Sequence, residues 1–175
     1  TTTTTDDTSE SRKGIKAGNM LIINDGDITI DSDDDSVHCN SVIYIYGGTI
    51  NAATGDDGVH ADDLLTVNGV IAHRLSTIRN ADLILVINDG DISVVSSDDG
   101  INSSDGSITI NGGNLLINAS GDGLDANGSI IINGGYIVVL GPTSDGDTAI
   151  DYDDSCTING GTVMAFGSSG MLEIP

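Results

Sequence analysis

Basic residues are scarce in this chain: five lysines and arginines stand against 27 aspartates and glutamates, for a formal charge of -22 at pH 7. A surface of that sign repels nucleic acid and anionic lipid, and it attracts hard cations. Aromatic rings are also few, with four Tyr, one Phe and no Trp, so any ring platform must be built from Tyr44, Tyr46, Tyr136, Tyr152 or Phe166. Only two cysteines occur, Cys39 and Cys156. They lie about five sequence repeats apart at ~4.8 Å per repeat, out of reach of a bridge within one chain. They read as small buried or turn residues rather than a redox pair or zinc ligands. No apolar run reaches about 18 residues, so no membrane insertion is expected. No secretory leader is visible either, and one is expected to have been removed.

Acidic chains with few aromatics are often disordered. Here, however, Ile, Leu and Val recur at regular intervals, punctuated by 24 Gly. An alternating apolar stretch followed by Asn-Gly-Gly or a variant appears at Ile23-Asn24-Asp25-Gly26, Ile45-Tyr46-Gly47-Gly48, Val67-Asn68-Gly69 and Ile87-Asn88-Asp89-Gly90. It returns at Ile110-Asn111-Gly112-Gly113, Ile132-Asn133-Gly134-Gly135 and Ile158-Asn159-Gly160-Gly161. Counted from Asn24 the steps are 22, 22, 20, 23, 22 and 26 residues, which is a solenoid period. The apolar residues alternate at period two, as in Leu21 and Ile23, Ile28 and Ile30, or Ile108 and Ile110. That is the pattern of strands with one face inside. The chain is therefore read as all-β, a right-handed parallel β-helix of about seven coils of roughly 22 residues. Residues 1–11 read as a polar linker or stalk and 12–175 as a single domain.

A second signal follows each Asn by about ten residues. It reads Asp34-Asp35-Ser36-Val37-His38, Asp56-Asp57-Gly58-Val59-His60, Asp98-Asp99-Gly100-Ile101-Asn102, Gly121-Asp122-Gly123-Leu124-Asp125 and Asp147-Thr148-Ala149-Ile150-Asp151. In-register stacking puts these carboxylates in columns, where like charges repel unless neutralised. Calcium suits the position: it takes six to eight oxygens, and adjacent Asp-rich turns supply them. The candidate ligands are Asp34, Asp35, Asp56, Asp57, Asp98, Asp99, Asp122, Asp125, Asp147 and Asp151, with the modest affinity of extracellular modules, about 10⁻⁴ to 10⁻³ M. The competing reading is that the same residues are solvated turn formers making Asx hydrogen bonds. His38 and His60 fill the place of Asn102, Asp125 and Asp151, as polar members of the column; no paired nucleophile repeats beside them.

Together the Lys13-Gly14-Ile15-Lys16-Ala17-Gly18 opening, the Asp-Asp-Gly-Val-His turns, the Ile-Asn-Gly-Gly corners and the closing Gly167-Ser168-Ser169-Gly170-Met171 resemble the bacterial carbohydrate-binding β-helix domain of clostridial cell surfaces, pectate-lyase-like in shape. The resemblance implies a secreted or cell-surface protein that binds calcium between coils and binds plant cell-wall polysaccharide, cellulose or pectic polymer, without cleaving it. Basic catalysis of the pectate-lyase kind needs Arg or Lys near bound calcium, and few basic residues are suitably placed, so no enzyme is expected.

One coil, at residues 70–86, departs from the pattern. Ile71 to Val86 (IAHRLSTIRNADLILV) looks like the switch-histidine segment of ABC transporter ATPases. That chemistry needs a phosphate loop and an acidic magnesium site, and this sequence has no such loop. The inward phase would place Ala72 and Arg74 where other coils have Ile28 and Ile30. Burying an unpaired arginine is costly, so a local register shift is expected.

Tyr44, Tyr46, Tyr136 and Tyr152 are the candidate sugar contacts. Calcium is an alternative bridge to an anionic polymer. Outward positions change from Thr29, Asn51 and Ser93 to Leu116, Val138 and Met164, a row that suggests a protein contact. With open coil ends, this supports a second reading, a self-assembling surface filament or adhesin subunit.

Overall fold

A computed structural model of the chain describes residues 12–69, 71–75, 78–80, 84–144 and 146–169. Among these residues the structure is all strand and turn, 21 strands in three seven-stranded sheets. Each coil contributes one strand to each sheet, and every pairing is parallel. In the first coil the strands are Ile15–Ala17 (sheet I), Met20–Ile23 (sheet II) and Asp27–Ser32 (sheet III). In the last they are Ile150–Tyr152, Ser155–Ile158 and Thr162–Phe166. Seven layers give six coil-to-coil steps, so the expected parallel β-solenoid is the fold. Among the described residues no helix is long and apolar enough to cross a membrane.

The period-two pattern sets the core. Ile43, Ile45, Ile50, Leu65, Leu85, Ile87, Ile108, Ile110, Leu115, Ile117, Ile130, Ile132, Ile137 and Val139 are buried, while the residues between them face out. In sheet II the inward column runs Ile23, Ile45, Val67, Ile87, Ile110, Ile132 and Ile158. Each buried member contributes roughly 1.5–3 kcal/mol. Cys39 is buried inside sheet I, Cys156 is half-buried in sheet II, and no bridge joins them.

The Asn-Gly-Gly signal forms the corner between sheets II and III. Its last glycine takes positive φ in every coil, for example +99° at Gly135. A Cβ there would lie 2.9 Å from the Gly113 carbonyl oxygen of the coil below, so both backbone shape and close stacking require glycine. The asparagines themselves form a ladder: Asn88 Nδ2 donates to Asn68 Oδ1 at 2.7 Å, Asn111 to Asn88 at 2.7 Å, Asn133 to Asn111 at 2.8 Å and Asn159 to Asn133 at 2.8 Å.

The atypical coil supplies strands to all three sheets, Ile71–Leu75, Ile78–Asn80 and Ile84–Ile87. Its register against the following coil shifts as expected: Ala72 pairs with Ile92, but Leu75, not Arg74, pairs with Val94. One extra residue is accommodated by the irregularity.

Candidate functional site

The Asp-Asp-Gly turns lead into sheet I, and the register stacks Lys16, His38 and His60, then, beyond the backbone position of residue 79, Asn102, Asp125 and Asp151 as one column. Beside it the turn aspartates Asp35, Asp99 and Asp122 do two jobs. One carboxylate oxygen braces the next coil: Asp35 Oδ1 accepts the Asp57 N–H at 3.1 Å, Asp99 Oδ1 accepts that of Asp122 at 2.8 Å, and Asp122 Oδ1 accepts that of Thr148. The second oxygen remains available to whatever lies in the column. The glycine of the turn is set by packing, since a Cβ at Gly100 would lie 2.5 Å from Ile117 Cγ2 and 2.7 Å from the Gly123 carbonyl oxygen.

The column is neutralised differently along its length. At the N-terminal end Lys13 Nζ donates to Asp35 Oδ2 and, at 3.3 Å, to Asp34 Oδ1. His38 Nδ1 lies 2.8 Å from Asp35 Oδ2, and His60 Nδ1 lies 3.0 Å from Asp57 Oδ2. The two imidazoles meet edge to face at 4.9 Å. Asp35 is only 1% exposed. Burial alone would raise its pKa, but the bonds from Lys13 and the Asp57 amide outweigh it and hold the carboxyl below its ordinary value. His60 is held above its ordinary value by its bond to Asp57, against the opposing effect of burial.

Further along, Asp99, Asp122 and Asp125 bring ligand oxygens within 4.8 Å of one another. Burial, followed by the charges of Asp151, Asp99 and Asp147, raises Asp122 to about 6. Burial, followed by the charges of Asp99, Asp122 and Asp151, raises Asp125 to about 7. Asp99 and Asp151 are also raised, burial again being the largest cause. Asn102 Nδ2 donates to Asp99 Oδ2 at 3.3 Å and to Asp125 Oδ2. This arrangement fits a hard divalent cation: an all-oxygen donor set whose mutual repulsion the Asn102 amide offsets only in part.

Of the ten candidate aspartates, six fall into two close groups, Asp34 with Asp35 and Asp56, and Asp99 with Asp122 and Asp125. Lys13 already occupies the first group. Asp57 is buried against His60, while Asp98, Asp147 and Asp151 stand outside both groups. Asp35, His38 and His60 also converge.

The four tyrosines do not converge. Tyr44 belongs to sheet II and Tyr46 to the adjoining corner, Tyr136 to sheet III and Tyr152 to sheet I. Tyr44 and Tyr46 form a pair, ring centroids 6.1 Å apart and planes within 16°, with Tyr46 51% exposed. Tyr46 replaces an asparagine in the corner ladder, and beyond it the corner opens into a cleft of about 440 Å³. Asp25, Thr49, Asp89, Asp91 and Asn114 supply its polar walls and Gly48, Gly69 and Gly90 its floor. Asp25 and Asp89 each cap the N–H of the following glycine, at 2.8 and 2.9 Å, and Asn114 Nδ2 donates to Asp91 Oδ1 at 2.6 Å. These walls were not among the candidates from sequence. The signal for them is the Asn-Asp-Gly variant of the corner, which replaces a glycine by an aspartate in two coils only.

A family model described as carbohydrate-binding domain-containing protein matches residues 1–58 and 59–171. No curated protein and no solved structure matches the chain.

Proposed function

The chain belongs to the family of carbohydrate-binding domain-containing proteins, and we propose that it binds cell-wall polysaccharide outside the cell, along the corner between sheets II and III, without cleaving it. The observation that carries this reading is the nearly parallel Tyr44–Tyr46 pair beside a cleft walled by carboxylates, a hydroxyl and an amide. Ring faces receive the C–H faces of a pyranose, while Asp25, Asp89, Asp91 and Asn114 offer acceptors and a donor to its hydroxyls. A neutral glucan suits those walls directly. A pectic polyanion approaches a chain of charge -22 only with a cation between them.

Calcium is the cation proposed for the Asp99, Asp122 and Asp125 group, where it would offset the repulsion that raises their pKa values. This group lies on the sheet I side, so calcium there acts on the solenoid and not on the cleft. The binding-only reading is supported by the family's description as carbohydrate-binding and by the place of the two described imidazoles. His38 and His60 are tied to Asp35 and Asp57 on sheet I, on a different face from the cleft at the opposite corner.

Retention of the full chain on insoluble cellulose and on calcium-pectate gel, with and without a chelator, tests the reading. Binding to cellulose that survives the chelator supports it; failure to bind either matrix overturns it.

A further inference from the structure

We infer that the two ends of the solenoid are complementary surfaces for one another, so that the last coil of one copy receives the first coil of the next. The occupant of each end is a second copy of this chain, and three independent features match in register.

The first is the core column. Ile132 is fully buried because a coil covers it on each side, whereas Ile158, one step further along the same column, is 42% exposed. At the other end Ile15, Leu21, Ile28 and Ile30 are only partly buried, although their counterparts one coil in, Val37, Ile43, Ile50 and Ala52, are buried. Extending the observed register by one step places Ile23 on Ile158, Ile28 on Val163 and Ile15 on Ile150, apolar on apolar throughout.

The second is hydrogen bonding. At the interior steps a corner residue donates its N–H to the carbonyl of the preceding coil, as Asn133 does to Ile110 and Asn159 to Ile132, both at 2.7 Å. The side-chain ladder runs in the same sense, ending at Asn159. Asn24, the first corner residue, carries both donors that the Ile158 carbonyl and the Asn159 side-chain oxygen would accept. Parallel strand edges left in this state are templates for a further strand.

The third is charge. Residues 12–23 contain Arg12, Lys13 and Lys16 and no acid, three of the five basic residues in the chain. The last turn into sheet I carries Asp147, Asp151, Asp153 and Asp154 and no base. Arg12 and Lys13 are engaged with Asp33, Asp34 and Asp35 of their own chain, while Lys16 is exposed. The same register step puts Lys16 over Asp151, one coil spacing of ~4.8 Å away and within reach of an ion pair. Such a head-to-tail contact does not close on itself, so it propagates as a filament.

The test is sedimentation velocity and negative-stain microscopy of the full chain across a concentration series. Wild type is expected to form linear oligomers that lengthen with concentration. Lys16→Glu and Asp151→Lys are each expected to raise the concentration needed by about tenfold or more, through like-charge contact at the joint, with monomer melting temperatures checking the fold. An equimolar mixture of the two variants restores assembly, because each joint then pairs a Lys with an acid. Wild type that remains monomeric throughout, variants that assemble as wild type does, or a mixture that stays dispersed would each overturn the inference.

Discussion

The Asp99 carboxylate accepts the backbone N–H of Asp122 at 2.8 Å across one coil step, so the same group that braces the stack also brings negative charge to the column. Turn-forming and cation-binding roles for these aspartates are therefore not exclusive: Oδ1 serves the backbone and Oδ2 faces its neighbours.

The first prediction follows from the raised carboxyls. Asp122 titrates at about 6 and Asp125 at about 7 in the folded chain, against an unfolded value near 3.9. Their folded state binds protons more readily, so their contribution to stability is fully present below the unfolded value and is lost as pH rises through 6 to 7. The melting temperature in chelator should therefore rise as pH falls from about 8 to about 5. Calcium should raise it at pH 8 and have little effect at pH 5, and a calorimetric titration at pH 6.5 should show protons released on binding.

Asp125→Asn removes one charge from that group and keeps the side chain's size. The variant should melt higher than wild type in chelator at pH 8 and should lose most of the calcium-induced increase. If calcium stabilises it as much as it does wild type, the ion binds elsewhere.

At the other end of the column the opposite response is expected. Lys13→Met leaves the buried Asp35 with His38, the Asp57 amide and, at 3.7 Å, His60 as partners but no ammonium, at a cost of about 2 kcal/mol. The melting temperature should fall by roughly 4–8 °C, and addition of calcium should be watched for partial recovery, since Asp34, Asp35 and Asp56 would then lie together without an ammonium. An unchanged melting temperature would show that Lys13 does not stabilise the folded chain.

Two isoleucines in one column give a measure of coil coverage. Ile110→Ala, at a fully buried position, should cost about 2–5 kcal/mol. Ile158→Ala, at the exposed end coil, should cost about 1 kcal/mol or less in monomer, by scaling with the area removed from water. Denaturant melts of the two variants compare them directly, and equal losses would mean that the last coil is covered.

The solenoid was legible because its signals are local: alternation fixes the inward face, and the Asn-Gly-Gly corner needs the positive φ and the bare Cα that glycine provides at Gly135 and its counterparts. The site was only partly legible. Asp99, Asp122 and Asp125 were among the candidates, but coils of unequal length obscure which side chains align, so Asp98 and Asp147 looked equivalent to them. Lys13 precedes the first strand and gave no sign in the sequence that it would fold onto Asp35. Tyr136 and Tyr152 were grouped with Tyr44 and Tyr46 by residue type alone, while the register sends them to different sheets. The cleft draws Asp25 from the first coil and Asp89 and Asp91 from the fourth, a relation between distant residues that no single motif displays.

The central claim is tested most directly by retention of wild type and of the Tyr44→Ala/Tyr46→Ala variant on insoluble cellulose in chelator, with melting temperatures measured alongside. The account predicts that wild type is retained and that the variant binds about tenfold more weakly, a loss of roughly 1.4 kcal/mol, with no large change in melting temperature. Equal retention of the two proteins, or release of wild type, would contradict it.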